Sequence, residues 1–112
     1  MTDRPTPPAD LGDEGVALWR DLTSSFEFDS QDLVVVTEAA RVKDRLDRLD
    51  AVVRSEGVTV TTSQGIKAHP ALTESRQQQI VLTRLVASLR LPDDYGKRDQ
   101  RRGASRGTYG AA

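Results

Sequence analysis

The chain has 112 residues, 16 of them Lys or Arg and 17 Asp or Glu, with no cysteine and one histidine. That length fits one small domain, and the absent cysteines exclude disulfides, thiolate metal sites and cysteine nucleophiles. No apolar run approaches the roughly 18 residues of a membrane-crossing helix, and the Pro-rich opening MTDRPTPPAD has no hydrophobic segment of a secretion signal, so a soluble cytoplasmic protein is expected.

The charge is unevenly distributed. From Gly96 onward five bases (Lys97, Arg98, Arg101, Arg102, Arg106) face one acid, Asp99, a local +4, whereas residues 1–95 carry 11 bases and 16 acids, or −5. An acidic body with a basic tail offers a partner two different surfaces.

Residues 1–10 hold three of the five prolines and read as a flexible, extended arm. Leu11, Gly15, Leu18, Trp19, Leu22 and Phe26 then recur at helical spacing and predict a helix over about 12–24, with Asp13 and Glu14 favourable in its first turn. Trp19, on the apolar stripe, is expected to anchor the core.

A second helix is predicted from Gln31 to Glu56, capped by Asp29 or Ser30 and stopped by Gly57. Val35, Ala39, Val42, Leu46, Leu49 and Val53 recur at alternating spacings of 4 and 3 and form its seam. Leu33, Val34, Val36 and Val52 lie beside that seam, more apolar surface than a small domain needs, and are the expected contacts to another subunit. The five acids and five bases between Glu38 and Glu56 read as a solvated surface with Asp44–Arg48 and Asp50–Arg54 pairs.

Val58 to Thr62 alternates as a strand, Ser63-Gln64-Gly65 supplies a turn, and Ile66 to Ala68 returns, so a hairpin is expected at about 58–68. A lone two-stranded hairpin is marginal in water, so it should lie against helices or add to a neighbour's edge. His69 suits a cap or packing role at the entrance of a third helix with Pro70 at its first position. Leu72, Gln79, Leu82, Leu85, Val86 and Leu89 mark the inward face, and Leu91-Pro92 ends the helix, which should pack antiparallel to the second. Residues 93–112 have too little apolar content to order alone.

The expected architecture is therefore mainly α: a flexible arm at 1–10, a helical oligomerisation core at 11–92 with its small β-hairpin, and a flexible basic tail at 93–112. The chain lacks a catalytic constellation: Gly12 and Gly15 lack the Gly-Lys-Ser/Thr of a P-loop, and His69 has no evident titrating partner. No enzyme, cofactor or small-molecule substrate is expected. Two basic features compete for a nucleic-acid role. Lys97, Arg98, Arg101, Arg102 and Arg106 sit in the tail, where mobile cations neutralise phosphates without reading sequence. Arg41, Arg45 and Arg48 share one face of the second helix, among interleaved acids. A helix–turn–helix is disfavoured because the second helix is very long and begins Ser30-Gln31-Asp32, with no base.

The order of these features resembles the terminase small subunits of tailed bacteriophages that carry a long central helix followed by a small β-hairpin. The matching pieces are the Pro-rich opening before Leu11, the helix carrying Trp19 and the long Ala/Arg/Leu helix ending at Gly57. They continue with the hairpin Val58–Ala68 containing Gly65, the His69-Pro70-Ala71 junction, and the Arg/Gln/Leu helix ending Leu89-Arg90-Leu91-Pro92. Together they span about residues 7–92. The resemblance implies a non-enzymatic, ring-forming homo-oligomer that binds double-stranded viral DNA. It would present that DNA to the large terminase subunit, which carries the ATPase and nuclease, in the host cytoplasm during packaging. This chain is short and its body acidic, so the DNA grip falls to tails, a channel face or an N-terminal element. The rivals are a helical adaptor or assembly protein that binds no DNA, and a helix–turn–helix regulator.

Overall fold

A computed structural model describes residues 5–92. The elements run α1 (Asp13–Ser25), α2 (Ser30–Glu56), β1 (Thr59–Thr62), β2 (Gly65–Ala68) and α3 (Pro70–Ser88). The protein is mainly helical with one antiparallel hairpin, as its sequence predicts.

Local chemistry sets most boundaries. Asp29 caps α2, its carboxylate accepting from the Asp32 amide at 2.8 Å. Gly57, at φ 90, takes the chain out of α2 in a conformation that disfavours a side chain. Pro70 occupies the first turn of α3, where its missing N–H costs nothing. The tail residues 93–112 lie outside the described segment. The arm before α1 is tied down from Pro8 onward: Leu11 donates back to the Pro8 carbonyl, and Asp10 pairs with Arg41 of α2.

The core sits at one end of the molecule. Trp19 and Leu22 of α1, Val36 and Ala40 of α2, and Leu89 just past α3 form its buried cluster, flanked by Leu11, Leu18, Phe26, Phe28, Leu33, Val35 and Leu91. Leu89 meeting Val36 brings the end of α3 to the start of α2, so the two helices are antiparallel.

Two stripes on α2 serve two neighbours. Val35, Ala39, Val42, Leu46, Leu49 and Val53 are at least half-buried and occupy the side toward α3, while Val36 and Ala40 meet α1. Gln78, not the predicted Gln79, completes the inward stripe of α3, which reads Ala71, Ser75, Gln78, Leu82, Leu85, Leu89; Gln79 is exposed. With 27 residues α2 is about 40 Å long, while the 13 residues of α1 reach about 20 Å. Beyond α1 the molecule is a two-helix arm. Leu46, Leu49, Val53 and Leu72 on that arm are only half-buried.

The hairpin closes the far end of the arm. Its register pairs Thr59 with Ala68, Val60 with Lys67, Thr61 with Ile66 and Thr62 with Gly65. Ser63 and Gln64 form the turn, and Gly65, at φ 115, already belongs to β2. Val60 alone is half-buried among the strand residues; the other seven are exposed. The hairpin is not laid against the helices.

Candidate functional site

The orientation of α1 on α2 depends on one carboxylate. Gly12, the N-cap of α1, has no side chain to cap with. Asp44 of α2 does this instead: its Oδ2 accepts the Gly12 amide and its Oδ1 the Gly15 amide, both at 2.7 Å. The carboxylate is buried, satisfied by two backbone donors and well placed against the positive end of the helix dipole. Such close approach needs glycine, since a Cβ on Gly15 would stand 2.4 Å from Asp44 Oδ2 and 2.7 Å from the Ala40 carbonyl oxygen. The expected Asp44–Arg48 pair is therefore not formed, because Asp44 points under α1. The expected Asp50–Arg54 pair is present.

His69 ties together the other end. Its Nδ1 accepts the Ala71 amide at 3.0 Å, capping α3, while Nε2 lies 2.8 Å from Glu56 Oε1 in the last turn of α2. An Nδ1 that accepts leaves the proton on Nε2, donated to Glu56. The His69 amide donates to the Val58 carbonyl at 2.8 Å, closing the hairpin base. One side chain and its own backbone thus fix α2, the hairpin and α3 relative to one another. This is the capping role expected for His69.

The outward face of α2 carries Val34, Glu38, Arg41, Arg45, Arg48 and Val52. Arg41 is committed within the subunit: its Nε donates to Asp10 Oδ2 at 3.1 Å and its Nη1 to Glu38 Oε2 at 2.7 Å. The hydrogen bond from Arg41 holds the Asp10 carboxyl below its ordinary 3.8. Arg45 and Arg48 are exposed and, with Leu49, Val52 and Gln78, line a shallow groove of about 220 Å³ between α2 and α3. Gln78 donates to Glu74 at 2.7 Å, yet its buried Oε1 has no partner among the described residues.

Of the four expected subunit contacts, two have free surface. Val34 is 63% and Val52 36% exposed. Val36 is a correction: it is fully buried against α1 and has nothing to offer a neighbour. Leu33, half-buried, packs on the same cluster. Four consecutive apolar residues at 33–36 cannot all point outward on a helix covered on two sides. The tail bases Lys97, Arg98, Arg101, Arg102 and Arg106 lie outside the described residues.

A second charge boundary falls at Gly57. Residues 5–56 carry 6 bases and 12 acids, whereas residues 57–92 carry 4 bases and 1 acid. The four bases, Lys67, Arg76, Arg84 and Arg90, are all exposed. Arg76 and Arg84 flank Ile80 on the outer face of α3, where with Gln79 and Thr83 they line a depression of about 290 Å³. The sequence held this signal in a running charge count; the basic tail masked it.

Among the described residues no cluster of three or more His, Cys, Asp or Glu is placed to hold a metal, and no helix is long and apolar enough to cross a membrane. Compared with known proteins, the chain matches no family model, no curated protein and no solved structure.

Proposed function

We propose that the chain is the small subunit of a phage terminase, a ring-forming, non-enzymatic protein that binds double-stranded viral DNA in the host cytoplasm. It would hand that DNA to the large subunit, which supplies the ATPase and nuclease. The observation that carries the assembly half of this reading is the two-helix arm. It extends past α1, leaves Val52, Val58, Ile66, Ile80 and Val81 exposed, and ends in a hairpin with no helix beneath it. Covering that surface with further copies by a repeated closing rotation generates a ring.

The DNA half rests on cations. Arg45 and Arg48 on α2, Arg76 and Arg84 on α3, and the tail bases Lys97, Arg98, Arg101, Arg102 and Arg106 are available to phosphates. Arg41 is tied to Asp10 and Glu38 and contributes less. Repeated around a ring, weak phosphate contacts sum to useful avidity. A helix–turn–helix reading fits poorly, since α2 begins with the acidic cap Asp29 and Asp32.

Fluorescence anisotropy of labelled duplex DNA at several salt concentrations tests this. Wild-type protein should bind with an affinity that falls steeply as salt rises. Replacing the five tail bases with Gln should weaken binding and flatten the salt slope. Absence of any DNA binding by the assembled protein would leave the adaptor reading in its place.

A further inference from the structure

The hairpin is the one element that the subunit positions but does not use. We infer that it is an assembly strand pair: the outer edge of β1 hydrogen-bonds to the outer edge of β2 in the next copy, extending a sheet from subunit to subunit. This rests on the ring reading and names the contact within it.

The backbone pattern defines the free groups. In an antiparallel pair, residues alternate between those that exchange hydrogen bonds across the ladder and those whose N–H and C=O point away. The His69 amide bonded to the Val58 carbonyl sets the parity, so Val60–Lys67 and Thr62–Gly65 are the bonded pairs within the hairpin. Thr59 and Thr61 on one edge, and Ile66 and Ala68 on the other, therefore present their N–H and C=O outward. Each edge offers two residues. Antiparallel head-to-tail pairing that uses both sets Thr59 against Ala68, and Thr61 against Ile66, of the next copy. Each copy then spends one β1 edge and one β2 edge, the bookkeeping a closed ring requires.

Side-chain chemistry fits a second copy. Thr59, Thr61, Ile66 and Ala68 share one face and none is charged; Ile66 is 74% exposed. On the opposite face, Lys67 would lie two strands from its equivalent, about 9.6 Å away, beyond a like-charge clash across one ladder. The usual guards of a free edge, proline, a bulge or an inward charge, are missing; Lys67 reaches along its own hairpin to Gln64 at 3.0 Å. His69, bonded to both helices and to the hairpin base, holds the pair at a fixed angle, which docking into a repeating assembly needs.

Amide hydrogen exchange of the full-length protein, read residue by residue, tests the pairing. In the assembly the amides of Thr59, Thr61, Ile66 and Ala68 should exchange at least tenfold more slowly than in diluted, dissociated protein. Intrinsic exchange at these four positions in a protein shown by light scattering to be multimeric overturns the proposal while leaving the ring intact. Protection that appears only on adding duplex DNA overturns it too, and makes the hairpin a DNA-binding ribbon. A protein that stays monomeric at every concentration overturns the ring reading itself. Because the chain has no cysteine, mixed single variants give a second readout. Thr61→Cys mixed with Ile66→Cys should cross-link on mild oxidation, and Thr61→Cys alone should not. Efficient cross-linking of Thr61→Cys to itself would mean β1-to-β1 pairing and refute the head-to-tail arrangement.

Discussion

Asp44→Ala is expected to be among the most damaging single truncations of a charged residue in this subunit. The carboxylate accepts two amide hydrogen bonds of 2.7 Å, one from exposed Gly12 and one from buried Gly15. Water can replace it at Gly12 but not at Gly15, where a buried donor is left bare at a cost of about 1–3 kcal/mol. Losing the cap of α1 adds about 0.5–2 kcal/mol, and because both effects share one carboxylate they do not sum fully. A total of about 2–3 kcal/mol is expected, a sizeable part of the roughly 5–15 kcal/mol that holds a domain folded. Asp44→Asn should cost a similar amount, because its amide NH₂ must face one of the two donors. Gly15→Ala tests the same contact from the other side. Helix propensity alone would favour it by about 1 kcal/mol. Its Cβ, however, would meet the Ala40 carbonyl oxygen at 2.7 Å, a backbone atom that cannot swing aside, so a net loss of about 1–3 kcal/mol is expected. Urea unfolding followed by Trp19 fluorescence and far-UV circular dichroism, at fixed subunit concentration, measures all three. Asp44→Ala within about 0.5 kcal/mol of wild type, the ordinary range of a neutral surface change, would refute the reasoning.

Other outcomes follow from the same contacts. His69→Ala should lower stability by about 0.5–2 kcal/mol through the lost cap of α3, and His69→Asn, which can still accept the Ala71 amide, should recover part of it in the same urea assay. Carboxyl NMR should find Asp10 titrating below 3.8, returning toward that value in Arg41→Gln. With a lowered folded-state value, the contribution of the Asp10–Arg41 tie is present above pH 3.8 and is lost as pH falls through the folded midpoint. Val36→Ala should destabilise the subunit by about 1–3 kcal/mol, since Val36 is wholly buried. Val52→Ser should change its folding little and instead weaken association, read by sedimentation velocity.

Much of the fold was legible because it is written in local chemistry. The cap at Asp29, the exit at Gly57, Pro70 in the first turn of α3 and the 4-and-3 spacing of the α2 seam each concern residues within a turn or two of one another. What failed to show were features that need two elements side by side. Asp44 reads as one more acid on a charged helix, and only the approach of Gly12 and Gly15 makes it a cap. A trace was present in Leu33, Val36, Ala40 and Asp44, a second stripe at helical spacing that ends in a polar residue. Val36 was misread for the same reason, since a helix packed on two sides hides residues that a single stripe would leave outside. Gln78 and Gln79 are chemically identical neighbours, so only the position of α3 on α2 distinguishes inward from outward. The candidate surfaces were legible as charge and not as geometry: Arg41, Arg45 and Arg48 do share a face, but Arg41 is held by Asp10, which is 31 residues away in sequence.

Native mass spectrometry of the full-length protein over a wide concentration range tests most directly whether the bare arm of α2 and α3 is covered by further copies. One closed multimer, a single stoichiometry that persists as concentration rises, is the predicted result. A spectrum containing only single 12.3 kDa chains at the highest concentration would contradict it.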